Sequence, residues 1–192
     1  MVGIMAKSGE SRACDDLVTQ AKSRTEALGR LYELYYGQIF RFCVHRLFNR
    51  TAAEDVTSSV FLTVASTIRG FTGRTEQDFR AWIYTIAANQ ANAHIRKTTR
   101  RRRLMANVLA RRRADEPDAG GWSRLDWPTL YVAIRELKPQ QQTILTLRFF
   151  EDMDYDEIGR IVDARPGTIR VALHRALRKL QDRLQGDLGD DL

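Results

Sequence analysis

The chain has 192 residues, 43% of them hydrophobic and 29% charged. That composition excludes wholesale disorder and fits one ordinary domain or two small ones. Lysine and arginine outnumber the acids by 31 to 24, a net charge of +7, and no apolar run approaches the ~18 residues that span a bilayer. Membrane insertion is therefore not expected.

Residues 1–14 hold no apolar segment between a basic start and a small-residue cleavage site, so they read as a mobile tail rather than a secretory leader. The two cysteines, Cys14 and Cys43, belong to no Cys-x-x-Cys or Cys/His cluster. That argues against a disulfide framework or a zinc site and for a reducing cytoplasm.

The spacing predicts a short helix from Asp15 or Asp16 to about Lys22, then a longer one from about Thr25 to Phe48 with Leu28, Leu31, Tyr35, Ile39, Phe42 and Cys43 on one stripe. Thr51 is placed to cap a third helix, in which Val56, Val60, Val64 and Ile68 repeat every four residues. A loop with two glycines, Arg69 to Gln77, carries an exposed-looking Phe71. A fourth helix starts near Asp78 and buries Phe79, Ile83 and Ile86, with Trp82 beside them in the core. These segments form a first domain over residues 15–98.

The basic excess is concentrated at the end of this domain. Between Phe79 and Ala114 there is no acid, while Arg80, Arg96, Lys97, Arg100 to Arg103 and Arg111 to Arg113 contribute ten positive charges. The rest of the chain is net acidic, so the segment is the footprint of a polyanion-binding protein. Residues 99–126 read as a flexible basic linker, with helical character near Leu104 to Leu109.

Pro128 opens a helix ending near Leu137, and Pro139 opens the next, to about Phe149. Asp154 caps a short helix through Val162, and Pro166 opens the last, reaching about Leu184. Residues 127–185 thus form a second small helical domain, with 186–192 as a tail. Strand-like alternation is absent, and the fold class is all-α, two small helical domains joined by a linker.

Three surfaces carry functional signals. In the second domain Tyr155, Ile158 and Ile161, a tight Asp163-Ala164-Arg165 connection, and Ile169, Leu173, Leu177, Leu180 and Leu184 have helix-turn-helix spacing. Opposite that core, Gly167, Val171, His174 and Arg178 share a face flanked by Arg170 and Arg175, suited to a major groove. In the first domain Thr85, Asn89, Asn92 and Arg96 form a polar row beside the Phe71 loop, equipment for holding unstacked bases. Asp55, Ser58, Ser59 and Leu62 share a small, non-basic face on the third helix, either plain surface or a protein-docking site.

Asp152, Asp154 and Asp156 alternate as in a calcium loop, but Glu157 stands where glycine is needed and Asp163 where a bidentate Glu is needed. Helix capping accounts for those acids better. His45, His94 and His174 have no nucleophile or paired carboxylate at motif spacing, so neither catalysis nor a cofactor is expected.

Taken together, Leu31-Tyr-Glu-Leu-Tyr-Tyr36, Ala53-Glu-Asp-Val-Thr57 with Val60-Phe-Leu62, Phe79-Arg-Ala-Trp-Ile-Tyr-Thr-Ile-Ala-Ala-Asn89, Leu137-Lys-Pro-Gln-Gln141, Tyr155-Asp-Glu-Ile158 and Gly167-Thr-Ile-Arg170 with Leu173-His-Arg-Ala176 resemble the extracytoplasmic-function sigma factors. These are the small promoter-specificity subunits of bacterial RNA polymerase, and the resemblance covers roughly residues 15–185. It implies that Asp55, Val56, Ser58, Ser59, Phe61 and Leu62 dock on the β′ coiled coil of core polymerase. It implies that Phe71, Thr72, Gly73 and Arg74 take a flipped base of the −10 element, with Thr85, Asn89, Asn92, Arg96, Lys97 and Arg100 reading or holding the remainder. Arg165, Gly167, Thr168, Arg170, Val171, His174, Arg175 and Arg178 would contact the −35 element. The β subunit and promoter DNA are implied as further partners. Family members are commonly held inactive by an anti-sigma factor, which makes such an antagonist a candidate partner.

This chain departs from the family where Ser58-Ser59 replaces the usual Gln-Glu, where Ala172 replaces a frequent basic residue, and where Val171 replaces a small polar one. Asp163 stands where Gly is common, and Arg165, a poor cap, where a capping Ser is common. The residues alone leave a rival reading open, an autonomous helix-turn-helix regulator with an N-terminal dimerisation or sensor domain.

Overall fold

The computed structural model describes residues 15–106 and 127–189, and every regular element among them is a helix. The expected tail at 1–14, residues 190–192 of the expected tail at 186–192, and 107–126 of the linker including Arg111 to Arg113 lie outside the described residues. The first domain comprises α1 (15–21), α2 (Thr25–Leu47), α3 (Arg50–Thr67), a 3-10 turn (Ile68–Gly70) and α4 (Glu76–Ala106). The second comprises α5 (Trp127–Arg135), α6 (Pro139–Phe149), α7 (Tyr155–Val162) and α8 (Pro166–Gly189).

The stripe on α2 faces the core as its spacing predicts: Leu31, Tyr35, Ile39, Phe42 and Cys43 are buried and Leu28 half-buried. Burial pushes the Cys43 thiol up to about 11, so Cys43 is a packing residue. Phe48 ends α2 in the left-handed region at φ 51°, its N–H returning to the Val44 carbonyl at 2.8 Å. An aromatic residue rarely adopts that conformation unaided. Here the Phe48 ring packs edge-on against Tyr131 of the second domain, at 4.5 Å between centroids. Asn49, not Thr51, caps α3: its side chain accepts from the Ala52 N–H at 2.8 Å.

On α3 the buried side includes Val56, Val60, Phe61 and Val64. Val56 and Phe61 therefore correct the expected docking set. They seat α3 on α2, with Phe61 edge-on to Tyr32 at 4.7 Å. On α4, Phe79, Ile83 and Tyr84 are fully buried, whereas Ile86 and Trp82 are half-buried at the margin. The helix starts two residues earlier than Asp78 and continues through the arginine run to Ala106, past the expected boundary at residue 98.

The second domain buries Ala133, Ile134, Leu137, Ile144, Leu147, Met153, Ile158, Ile161, Ile169, Leu173, Ala176 and Leu180. Leu177, expected in this core, is 41% exposed, and Ala176 takes the inward position. A spacing of three residues from Leu173 is as helical as one of four. The last helix runs on to Gly189 rather than ending near Leu184.

The two domains close on one another, with α2 and α4 against α6 and α7, and their buried residues form one continuous apolar cluster. The seam is also polar. Glu151, its side chain 1% exposed, accepts from Arg41 at 3.1 Å and from the Tyr84 hydroxyl at 2.8 Å. Arg80 pairs with Glu157 at 3.0 Å, and Arg160 donates to Gln77 at 3.1 Å.

Candidate nucleic-acid interface

The loop between the 3-10 turn and α4 is tied down from several sides. Lys22 donates to the Gly73 carbonyl at 2.8 Å, and its ammonium lies 5.4 Å from the centre of the Phe71 ring. The Asp78 carboxylate accepts from the amides of Arg74 and Thr75, both at 3.1 Å. The Thr75 side chain first, and then these amides, hold its carboxyl below the usual aspartate range. A Cβ on Gly73 would stand 2.3 Å from Phe71 Cζ and 2.6 Å from Asp78 Cβ. Only glycine fits that turn as built.

Phe71 is half-buried rather than exposed, stacked on Trp82 at 4.6 Å with 22° between planes. Together with Ser66, Thr67 and Gly70 the two rings line an open cavity of about 430 Å³. An aromatic floor with hydroxyl walls can hold a planar, hydrogen-bonding group. Assigning Trp82 to the core missed its part in this wall. Thr72 and Arg74 are exposed at the loop's outer edge.

The polar row on α4 divides. Asn89, Arg96, Lys97 and Arg100 are exposed. Thr85 and Asn92 are half-buried and engaged: Thr85 donates to the Ile161 carbonyl across the seam at 3.1 Å, and the Asn92 Oδ1 accepts from Arg46. The four do not form one free face, which corrects the sequence expectation. Arg46 is itself 3% exposed and also donates to Gln142, to Thr143 at 3.4 Å and to the Pro139 carbonyl at 3.2 Å. Burial lowers its guanidinium to about 10. A charged residue four positions after Phe42 on an apolar stripe was the available signal for this cluster.

On α3, Asp55, Ser58, Ser59 and Leu62 are all exposed, Leu62 by 72%. Exposed Tyr32 and half-buried Tyr36 of α2 extend this face into an aromatic patch around Phe61.

In the second domain α7 and α8 form the helix-turn-helix. Asp154 caps α7 by accepting from the amides of Asp156 and Glu157 at 2.9 and 2.8 Å, while Glu157 accepts from the Asp154 amide at 3.0 Å. Asp154 thus caps the helix start as expected and Asp156 lies in its first turn, whereas Asp152 stands outside the helix. Asp163 takes the left-handed position at φ 50°, and the Ala164 N–H returns to the Gly159 carbonyl at 3.0 Å. A Cβ on Gly159 would lie 2.5 Å from the Ala164 carbonyl oxygen, a close approach that sequence reading passed over. Gly167, Thr168, Arg170, Val171, His174, Arg175 and Arg178 are all exposed on α8, and Arg165 is exposed just before it.

Two family models match the chain: sigma-70 region 2 over residues 31–101 and sigma-70 region 4 over residues 129–180. The ECF RNA polymerase sigma factor BldN of Streptomyces coelicolor is 32% identical over 189 residues, covering 95% of this chain and 70% of BldN. The chain belongs to the ECF family of RNA polymerase sigma factors. SigW of Bacillus subtilis, another ECF sigma factor, is 25% identical across 85% of this chain and 92% of its own length. The fold is shared with the sigma factor RpoE of Bartonella quintana, solved with the anti-sigma factor NepR. That match has a TM-score of 0.61 at 22% identity, covering 82% of this chain and 96% of the other.

As a sigma factor the protein works with RNA polymerase and promoter DNA, and the rival reading as a polymerase-independent regulator falls. Region 2 coincides with the loop, cavity and α4 surface, and region 4 with the helix-turn-helix. Among the described residues no helix of this sigma factor is long and apolar enough to cross a membrane.

Proposed function

We propose that this sigma factor reads its promoter with two surfaces that cannot both act in the closed arrangement, so that core polymerase must part the domains first. One observation carries the reading. Thr85 and Asn92, on the helix that bears the exposed Asn89, Arg96, Lys97 and Arg100, are held in or against the domain seam.

In this reading the Phe71–Trp82 cavity receives an extruded base of the −10 element, and Thr72, Gly73 and Arg74 border it. Asn89, Arg96, Lys97 and Arg100 track the adjoining strand, with Thr85 and Asn92 joining once the domains part. The outer face of α8 enters the −35 major groove. Asp55, Ser58, Ser59 and Leu62 dock the protein on core polymerase, with the patch around Tyr32. The protein contributes recognition and strand capture and no catalysis of its own, and it acts in the bacterial cytoplasm. The anti-sigma partner of the structural relative supports an antagonist that holds the closed form.

Run-off transcription from a randomised promoter library, with this chain added to sigma-free core polymerase, tests the reading. Initiation is expected only with both components, at sites sharing two elements at fixed spacing. Asp55→Arg is expected to abolish core binding while leaving the fold intact. Initiation from sites with a single element, or unchanged core affinity in Asp55→Arg, overturns the corresponding role.

A further inference from the structure

Of the four exposed arginines on α8, Arg183 pairs with Glu136 at 3.3 Å, and the structure treats the other three, Arg170, Arg175 and Arg178, differently. The Arg170 guanidinium carbon lies 5.2 Å from the centre of the Tyr155 ring, over its face. Among the described residues neither Arg175 nor Arg178 has a hydrogen-bond, ion-pair or ring partner. Arg170 has no partner other than that ring. A guanidinium lying on an aromatic face keeps its planar fork in a restricted orientation, whereas a free one samples many rotamers.

The ring is itself firmly placed. Tyr155 is the first residue of α7, directly after the reciprocal cap formed by Asp154 and Glu157. Met153, two residues before Tyr155, is fully buried, and its carbonyl accepts from Arg148 at 2.9 Å. The Arg148 guanidinium carbon also lies over the Tyr155 ring, 5.5 Å from its centre. Tyr155 thus carries two cations. Arg148 is anchored by a backbone carbonyl, and Arg170 has its donors unused. Repulsion between the two guanidinium groups disfavours any rotamer that brings Arg170 back over Arg148.

We propose that Tyr155 is a positioning residue for promoter recognition: its ring orients the Arg170 fork for a base edge in the −35 groove, while Arg175 and Arg178 stay untethered and answer to phosphate. The proposal rests on the reading of α8 as the −35 helix. Bidentate contact to the two acceptors of guanine needs the fork held in plane with the base, and a phosphate contact does not.

The test uses full-length chains assembled with core polymerase, assayed for initiation on promoters randomised across the −35 element. The chains are wild type, Tyr155→Phe, Tyr155→Leu, Arg170→Ala and Tyr155→Leu/Arg170→Ala. Arg170→Ala is expected to lose preference at one or two base pairs. Tyr155→Leu is expected to weaken preference at those same pairs by roughly two- to fivefold, the scale of an exposed cation–π contact, and Tyr155→Phe to retain it. The double variant is expected to be no worse than Arg170→Ala alone.

If Arg170→Ala leaves the sequence preference unchanged, Arg170 does not read bases and the underlying assignment fails. If Arg170→Ala shifts preference while Tyr155→Leu lowers initiation equally on every sequence, the Tyr155 proposal fails alone. A double-variant loss equal to the product of the single losses overturns it too. A separate measurement on the unmutated full chain does not depend on any variant folding. The side-chain protons of Arg170 should show ring-current shifts in NMR that those of Arg175 lack, and their absence overturns the proposal.

Discussion

Arg46 Nη2 donates to Asn92 Oδ1 at 2.6 Å, joining a buried cation on α2 to an amide on α4. The same guanidinium reaches Gln142, Thr143 and the Pro139 carbonyl of the second domain. Asn92 therefore faces the seam, and Asn89, one turn earlier, faces solvent. The two substitutions should separate accordingly. Asn89→Ala is expected to reduce open-complex formation on −10 DNA and leave the free protein as compact as wild type. Asn92→Ala is expected to expand the free protein in small-angle scattering, because Arg46 loses an acceptor in a buried site.

Glu151 is the second tie across the seam. Replacing it by Ala removes the acceptor of the buried Tyr84 hydroxyl and of Arg41. Burial first, and then the neighbouring carboxylate, raise the Tyr84 hydroxyl above its ordinary range, so it stays a neutral donor that needs an acceptor. Glu151→Ala should lower stability by about 1–3 kcal/mol in urea titrations, with Tyr84→Phe restoring part of the loss in the double variant.

His45 is expected to make closure sensitive to acid. Its ring stacks on Phe150 of the second domain at 4.0 Å, and burial, then the nearby Arg41 charge, lower its pKa from the ordinary histidine value. A base whose folded pKa is depressed binds fewer protons folded than unfolded. Its contribution is full above about pH 6.5 and is lost as pH falls towards and through the lowered value. Domain closure should loosen over that window, and His45→Phe should flatten the dependence in scattering or melting profiles.

Gly73→Ala should displace Phe71, because the added methyl meets the ring edge and Asp78 at distances no relaxed side chain tolerates. Formation of the open complex is expected to fall by an amount comparable to losing one base–aromatic stack, about 1–3 kcal/mol. Core-polymerase affinity should be unchanged. A normal open complex in Gly73→Ala would remove the cavity from base capture.

Local periodicity made much of this protein readable before any coordinates. The stripes on α2 and α3, the Asp154 cap and the outer face of α8 all follow from interactions within a few residues along the chain, where helix geometry fixes who meets whom. The resemblance to sigma factors likewise rests on motifs local in sequence, within single helices or, for Leu137–Gln141, across the connection from α5 to α6. Tertiary structure decided the rest, since its causes lie far away in sequence. Thr85 and Asn92 share a helical face with Asn89 and Arg96, and only the arrival of the Ile161 carbonyl and the Arg46 cluster takes them out of it. Ala176, not Leu177, is the one of the two that packs into the core. Glu151 is buried by partners far away in sequence, Arg41 and Tyr84, each more than sixty residues from it. A helical period says which residues share a side of a helix, but desolvation and hydrogen-bond demand across the seam select which of those sides meets water, DNA or the other domain.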